Sequence, residues 1–328
     1  MSKNEENLKY PKALNYNMHL PKLMRCLILL LLLLTGNRLW AANAIDSLQT
    51  DHDVELFATR IVKEFYQFKK LVAVAPSTDF INQNTNCDSI ALRWKGKNWQ
   101  KADFNQDGKT DLFVILHEDN SRFQPYIIMD DGPRGFTLHN LKRSLSYTCE
   151  LARVAAIGQQ PALLYYYIKE EPTRQILNNL DHIQVNTLIY KFGGFVEYNR
   201  HPQPIAVNTI YLKTFGAWAG NSDFELTIRS DGKAIYKPLA WTSKKTQQTG
   251  IIAPDRLKEI TGLLSYIRLR QLKSSYAVTW SDDQTAILKI SLANGSVKTI
   301  DDYGLRGTFG LSHLYKLLFD LRTSEVWH

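Results

Sequence analysis

The chain has 328 residues, 44% of them hydrophobic and 22% charged, a composition that excludes a disordered, collagen-like or fibrous protein. Its formal net charge of +8 overstates the basicity of the body, because six of the 40 Lys and Arg and only two of the 32 Asp and Glu fall in the first 44 residues. The small surplus that remains, with no basic run interleaved with aromatics, argues against a nucleic-acid partner, and the Lys244-Lys245 pair reads as a solvated loop.

The first segment has the order of a secretory signal. Lys22 and Arg25 precede an unbroken apolar run from Cys26 to Leu34, and Ala42-Asn43-Ala44 supplies small residues at a cleavage point. Cleavage is expected after Ala44, so that residues 1–44 form the signal peptide and the product is periplasmic or secreted in a bacterium, with no stable membrane span. The run is short of the roughly 20 apolar residues a crossing needs. Residues ahead of Met18 or Met24 do not resemble a signal and suggest a start-site extension. Cys26 leaves with the leader, and the remaining Cys87 and Cys149 are expected to pair in an oxidising compartment, two buried free thiols being the alternative.

A helix is predicted from Asp51 to about Leu71, because Val54, Phe57, Ala58, Ile61, Val62, Phe65 and Phe68 recur at three- and four-residue steps and Asp51 can cap its start. Short strands follow at Ile90 to Trp94, Leu112 to His117, Pro125 to Met129, Leu151 to Ile157, Ala162 to Ile168 and Val185 to Tyr190, with turn signals that suit an antiparallel meander. Residues 200–204, with Pro202 and Pro204, read as a linker between a β-rich domain at 45–199 and a second domain at 205–328. The second domain is predicted to hold strands at Ala206 to Lys213, Asp223 to Arg229, Ala234 to Pro238, Thr285 to Leu292 and Val297 to Asp301, with helices from Pro254 to about Arg268 and from Leu311 to Leu321. Asp231-Gly232 and Asn294-Gly295 mark two hairpins with two-residue turns. The fold class is therefore α+β: an N-terminal helix with an antiparallel meander, then a compact two-layer module of two hairpins and two helices.

One stretch, from Asp103 to Phe113, groups oxygen ligands around a glycine. Ca²⁺ takes six to eight oxygens, and alternate side chains of a tightly curling loop converge on one point. Asp103, Asn105, Asp107 and Asp111 are the predicted side-chain ligands, Lys109 offers its backbone carbonyl, and Gly108 sits where the turn is sharpest. The plain alternative is an Asn- and Asp-rich turn before a strand. Asp103 to Leu112 resembles the calcium loop of FG-GAP and VCBS repeats, which read D-x-N-x-D-G-x-x-D-L at the start of a strand. Those families string many copies together, and this sequence holds one. Val114 stands where an EF-hand carries its bidentate Glu, which excludes that motif.

The part from about Ile205 to Trp327 resembles DUF6438, a bacterial family of domains of unknown function. The residues that carry the likeness are Thr214-Phe215-Gly216, Phe224 to Ile228, Ser230-Asp231-Gly232, Ala234-Ile235-Tyr236, Thr249-Gly250, Tyr276, Asp282-Asp283 and Lys298 to Tyr303. Members carry a cysteine before Phe-Gly and a Cys-Pro after it; Thr214 and Ala217-Trp218 stand there instead. The resemblance implies a small module of an envelope protein and no activity.

The other constellations favour packing over chemistry. His117-Glu118-Asp119 lacks a second His at ligand spacing, and Asp282-Asp283 reads as a turn. Gly304 to Gly310 precedes a helix that could hold an anion but lacks a P-loop lysine. Tyr165-Tyr166-Tyr167 alternates between strand faces, and Trp94, Trp99, Trp218 and Trp241 would form a stacking platform only if brought together. No G-x-S-x-G or local cysteine-protease signature is present, so no catalytic or cofactor-binding residue is assigned. The expected protein is a non-catalytic envelope protein with a structural Ca²⁺ and an envelope protein or glycan as partner. A hydrolase of envelope polymers and a carbohydrate- or protein-binding module are the alternatives.

Overall fold

The computed structural model describes residues 44–65, 72–74, 88–117, 123–144, 149–168, 183–216, 223–239 and 246–328. The expected signal segment lies outside these residues but for Ala44, as do Phe68, Cys87, Trp218, Trp241 and the Lys244-Lys245 pair. Asn43–His328 is one compact unit, rich in antiparallel sheet with helices packed on it, and so α+β.

Helix α1 (Asp51–Phe65) buries Val54, Phe57, Ala58, Ile61 and Val62 on a single face. Its cap is not Asp51. Thr50 Oγ1 accepts from Asp53 N (3.2 Å) while Asp53 Oδ2 accepts from Thr50 N (2.9 Å), a reciprocal cap one residue earlier. Asp51 instead accepts from Trp99 Nε1 at 2.7 Å.

The first sheet runs β1 (Val72–Val74), β3 (Asp111–His117), β4 (Phe123–Asp130), β5 (Phe136–Asn140), with β2 (Trp99–Ala102) also on β3. Every residue of β3 and β4 is buried. Leu112, Val114, Leu116, Tyr126 and Ile128 face α1, while Phe113, Ile115, Ile127 and Met129 face a second core on the other side. Continuous apolar runs in these strands thus reflect a sheet covered on both faces. The expected strand at Ile90 to Trp94 is instead helix α2 (Asp88–Trp94). Ile90, Ala91 and Trp94 are buried while Arg93 is exposed, the spacing of a helix face and not of strand alternation. Trp94 Nε1 donates to Ala152 O at 2.6 Å and fixes α2 to the next sheet.

That sheet is the antiparallel meander β6 (Glu150–Ile157), β7 (Gln160–Ile168), β8 (Ile183–Lys191), β9 (Gly194–Glu197). A seven-stranded sheet follows, in the order β13 (Gln248–Ile251), β12 (Lys233–Pro238), β11 (Phe224–Arg229), β10 (Val207–Phe215), β15 (Thr285–Leu292), β16 (Val297–Tyr303), β14 (Ser275–Ala277); only β14 pairs parallel, to β16. Alternate residues, such as Ile210, Leu212 and Thr214 on β10, face helices α3 (Pro254–Tyr266) and α4 (Phe309–Ser324). The hairpin loops have three residues, 230–232, and four, 293–296, not two. Gly232 (φ 82°) and Gly295 (φ 84°) close them in the left-handed region, and each N–H returns to the residue three before it.

The halves on either side of residues 200–204 interlock. Ala162, Ile189 and Val196 belong to the same apolar cluster as α3 and α4, and Phe309 belongs to the cluster of α2 and the meander. Asn199 is 6% exposed; its N–H donates to Tyr266 Oη (2.8 Å) and its Nδ2 to Tyr266 O (2.6 Å).

Candidate functional site

The aspartate loop connects two antiparallel neighbours: β2 ends at Ala102, β3 begins at Asp111, and those two residues pair. The residue that anchors the loop is one the ligand pattern does not single out. Phe104 is fully buried and packs edge-on against Phe195, with ring centroids 5.6 Å apart. Around it the backbone curls through positive φ at Gln106 (58°) and Gly108 (85°). Gly108 is therefore needed for its conformation, since a Cβ there would meet nothing within 4 Å.

The side chains curl with it. Asp103 accepts from Asp107 N (3.1 Å, Oδ1) and Gly108 N (2.9 Å, Oδ2), and Asn105 Oδ1 also accepts from Asp107 N (3.1 Å). Asp107 Oδ1 accepts from Lys109 N at 2.9 Å. Lys109 contributes more than the expected carbonyl: its ammonium donates to Asp107 Oδ2 at 3.1 Å, and its stem lies against Gly132. Partial burial opposes ionisation of Asp107, but the Lys109 N–H and ammonium outweigh it and hold the carboxyl below its ordinary value.

Asp111 is fully buried at the head of β3. Its Oδ2 accepts from Phe104 N (2.8 Å) and its Oδ1 from Asp130 N (3.0 Å), so one carboxylate ties the loop to the end of β4. Burial first, and then the like charges of Asp103 and Asp107, raise its pKa to about 7 against the two N–H donors. Asp130, 5% exposed and not singled out by the motif, accepts from Gly132 N at 2.5 Å. Only its place after an apolar strand and before Asp131-Gly132 could have flagged it.

The five predicted positions thus lie on a single loop and offer oxygen donors only, the chemistry a hard cation takes. Among the described residues no three His, Cys, Asp or Glu side chains converge as a ready metal cluster. The loop oxygens accept from the loop's own N–H groups, and each carboxylate oxygen keeps a second lone pair.

The remaining constellations fall into place structurally. His117 is 5% exposed, while Glu118 and Asp119 lie outside the described residues. Asp282-Asp283 is a turn: Asp282 has φ 64°, and Asp283 accepts from Trp280 Nε1 (2.9 Å) and Gln284 N (2.7 Å). Trp94 is fully buried and so cannot serve as a stacking platform. The glycine-rich stretch before α4 is a double carboxylate cradle. Asp302, fully buried, accepts from Arg306 N (3.1 Å) and Gly307 N (2.9 Å), while Glu197 of β9 accepts from Phe309 N (2.6 Å) and Gly310 N (2.9 Å). The helix N-terminus binds an anion, and the anion is the protein's own. Burial raises the pKa of Asp302 against those two N–H donors.

Residues 220–322 match the family model of a domain of unknown function, DUF6438. The match runs from just before β11 into α4, narrower than the expected likeness from Ile205 to Trp327. No curated protein and no solved structure matches the chain. Among the described residues no helix is long and apolar enough to cross a membrane.

Proposed function

We propose that this is a non-catalytic, secreted or periplasmic bacterial envelope protein whose β-rich half is fastened by a structural Ca²⁺ at Asp103, Asn105, Asp107, Lys109 O and Asp111. The observation that carries the reading is the placement of Asp111. A fully buried carboxylate stands beside Asp103 and Asp107, with its pKa raised by burial and by their like charges, an arrangement that a divalent cation would relieve. An ion there would tie the loop to β3 and, through Asp130 N, to β4. Lys109 is the resident counter-charge in its absence.

A disulfide between Cys87 and Cys149 is the second fastening of the same reading. It is supported by the burial of Cys149, which is 3% exposed beside α2 and the meander. The export signal at residues 1–44 supplies the compartment in which such a bond persists.

Titration of Ca²⁺ into chelator-treated protein tests the ion site. One ion per chain is expected, with Mg²⁺ far weaker, and Asp103→Ala and Asp107→Ala abolishing the heat. Equal heats in the variants and the wild type would refute the site. Peptide mapping without reductant is expected to yield a Cys87–Cys149 cross-linked pair.

A further inference from the structure

Apart from the aspartate loop, the most elaborated concavity is a cleft of about 580 Å³ where the meander meets the segment after α3 and the turn before α4. Its lining includes Tyr165 and Tyr167 of β7, Glu150, Tyr276, Arg143 and Arg306. That volume is the size of a small organic ligand.

Its arginines donate to neutral acceptors. Arg143 Nη2 donates to Arg306 O, and Arg306 Nη1 donates to Lys142 O at 2.9 Å, so each guanidinium is fixed by a backbone carbonyl of the other's loop. Arg143 is further seated over the Phe309 ring, 4.5 Å from its centroid. Burial first, and then the Arg143 charge, lower the pKa of Arg306 against the attraction of Asp283 and Glu150. The two carboxylates of the cleft are engaged by backbone N–H groups: Glu150 accepts from Arg143 N (2.7 Å) and Ser144 N (3.1 Å), and Glu197 caps α4. Arg268 is engaged through Nε with Asn199 Oδ1 (3.0 Å), again a neutral acceptor.

A second, independent observation lies in the same lining. Tyr165 is fully buried and lines the cleft, and its hydroxyl makes no hydrogen bond of acceptable geometry although Glu150 and the Arg143 backbone are its neighbours. A buried donor left unmade costs about 1–3 kcal/mol, and such a group beside two guanidiniums that donate to backbone carbonyls has the chemistry of an oxyanion site.

We propose that this cleft binds a small organic anion, with its carboxylate or phosphate group held by Arg143, Arg306 and the Tyr165 hydroxyl and its body against the rings of Tyr167 and Tyr276. Planar guanidiniums fixed in advance lose little freedom on binding and match both oxyanions. The site shares no residue with the aspartate loop and stands whether or not that loop holds an ion.

Calorimetric titration of the full chain with glucuronate, glucose 1-phosphate, inorganic phosphate and neutral glucose separates the two oxyanion sources. Binding of at least one of the two sugar acids is expected, with no heat from glucose. Arg306→Gln and Arg143→Gln are each expected to weaken binding about tenfold, as the loss of a charged hydrogen bond implies. Tyr165→Phe keeps the ring and its packing; it is expected to weaken binding about fivefold while leaving the melting temperature equal or higher, because the unmade donor is gone. A purely structural Tyr165 would not lower affinity. Failure of both sugar acids to bind at about 10 mM, or equal affinities in wild type, Arg306→Gln and Tyr165→Phe, would overturn the proposal.

Discussion

Glu197 holds the seam between the meander and the C-terminal helix, and its removal has a calculable cost. Its two carboxylate oxygens accept from Phe309 N and Gly310 N at 2.6 and 2.9 Å, 112 and 113 residues away in sequence. Hydrogen bonds to a charged group contribute about 1.5–3 kcal/mol each, and a carboxylate at a helix N-terminus about 0.3–1 kcal/mol more. The partial exposure of this end of the cleft places the total near the lower bound, so Glu197→Ala is expected to destabilise by about 3 kcal/mol. Glu197→Gln keeps one acceptor oxygen and loses the charge, and about half that cost is expected. Urea unfolding followed by both far-ultraviolet circular dichroism and tryptophan fluorescence reads the shift in midpoint at constant slope. Because both halves share apolar clusters, the two probes should report a single transition in every variant. A Glu197→Ala midpoint within about 0.5 kcal/mol of wild type, or two separate transitions, would refute the account of the seam.

Three further outcomes follow from particular contacts. His139 on β5 packs edge-on against Tyr190 and Phe195 with its Nε2 buried and unpartnered, and burial, with the His313 and Lys316 charges, lowers its pKa to about 4. The unfolded chain takes up that proton near 6.5 and the folded chain does not, so stability falls as pH drops from 6.5 towards about 4, by about 3 kcal/mol at most; in His139→Leu the urea midpoint should change less over this window, and parallel profiles would contradict the burial argument. A Cβ on Gly194 would lie 2.5 Å from the His313 ring, so Gly194→Ala should lose about 1–3 kcal/mol in the same assay, and a neutral result would mean that the ring can move aside. Trp94→Phe removes the 2.6 Å bond to Ala152 O and part of a fully buried side chain, and a loss of about 2 kcal/mol is expected, with an unchanged melting temperature as the contrary result.

What could be read in the residues was local. Alternation along β10 and β15, the three- and four-residue steps of α1, α3 and α4, and the glycines of the two hairpins each specify their element within a few positions, and all of these elements form. The short apolar run at Ile90 failed for the opposite reason: five residues fit a buried strand or one turn and a half of helix, and only contact with Ala152 decides. The short strands β1, β2, β5, β9, β13 and β14 were missed because their pairing partners, and not their own composition, define them. In the aspartate loop the ligand pattern was legible, but Phe104 and Asp130, which fix it to the core, are one apolar and one acidic residue with no spacing rule. The cleft was illegible altogether, since Arg143, Tyr165, Tyr276 and Arg306 meet only after three separate stretches of chain have packed.

The central claim, that the loop from Asp103 to Asp111 is a calcium clasp for the β-rich half, is met most directly by a thermal melt of chelator-treated protein with and without Ca²⁺. At about one hundred times the dissociation constant, an ion bound only by the folded state stabilises by about 2.7 kcal/mol. For a body of this size that corresponds to a rise in melting temperature of roughly 5–10 °C, absent in Asp107→Ala. Identical melting temperatures with Ca²⁺ and with chelator would contradict it and leave the loop as a turn held by Lys109 and its own N–H groups.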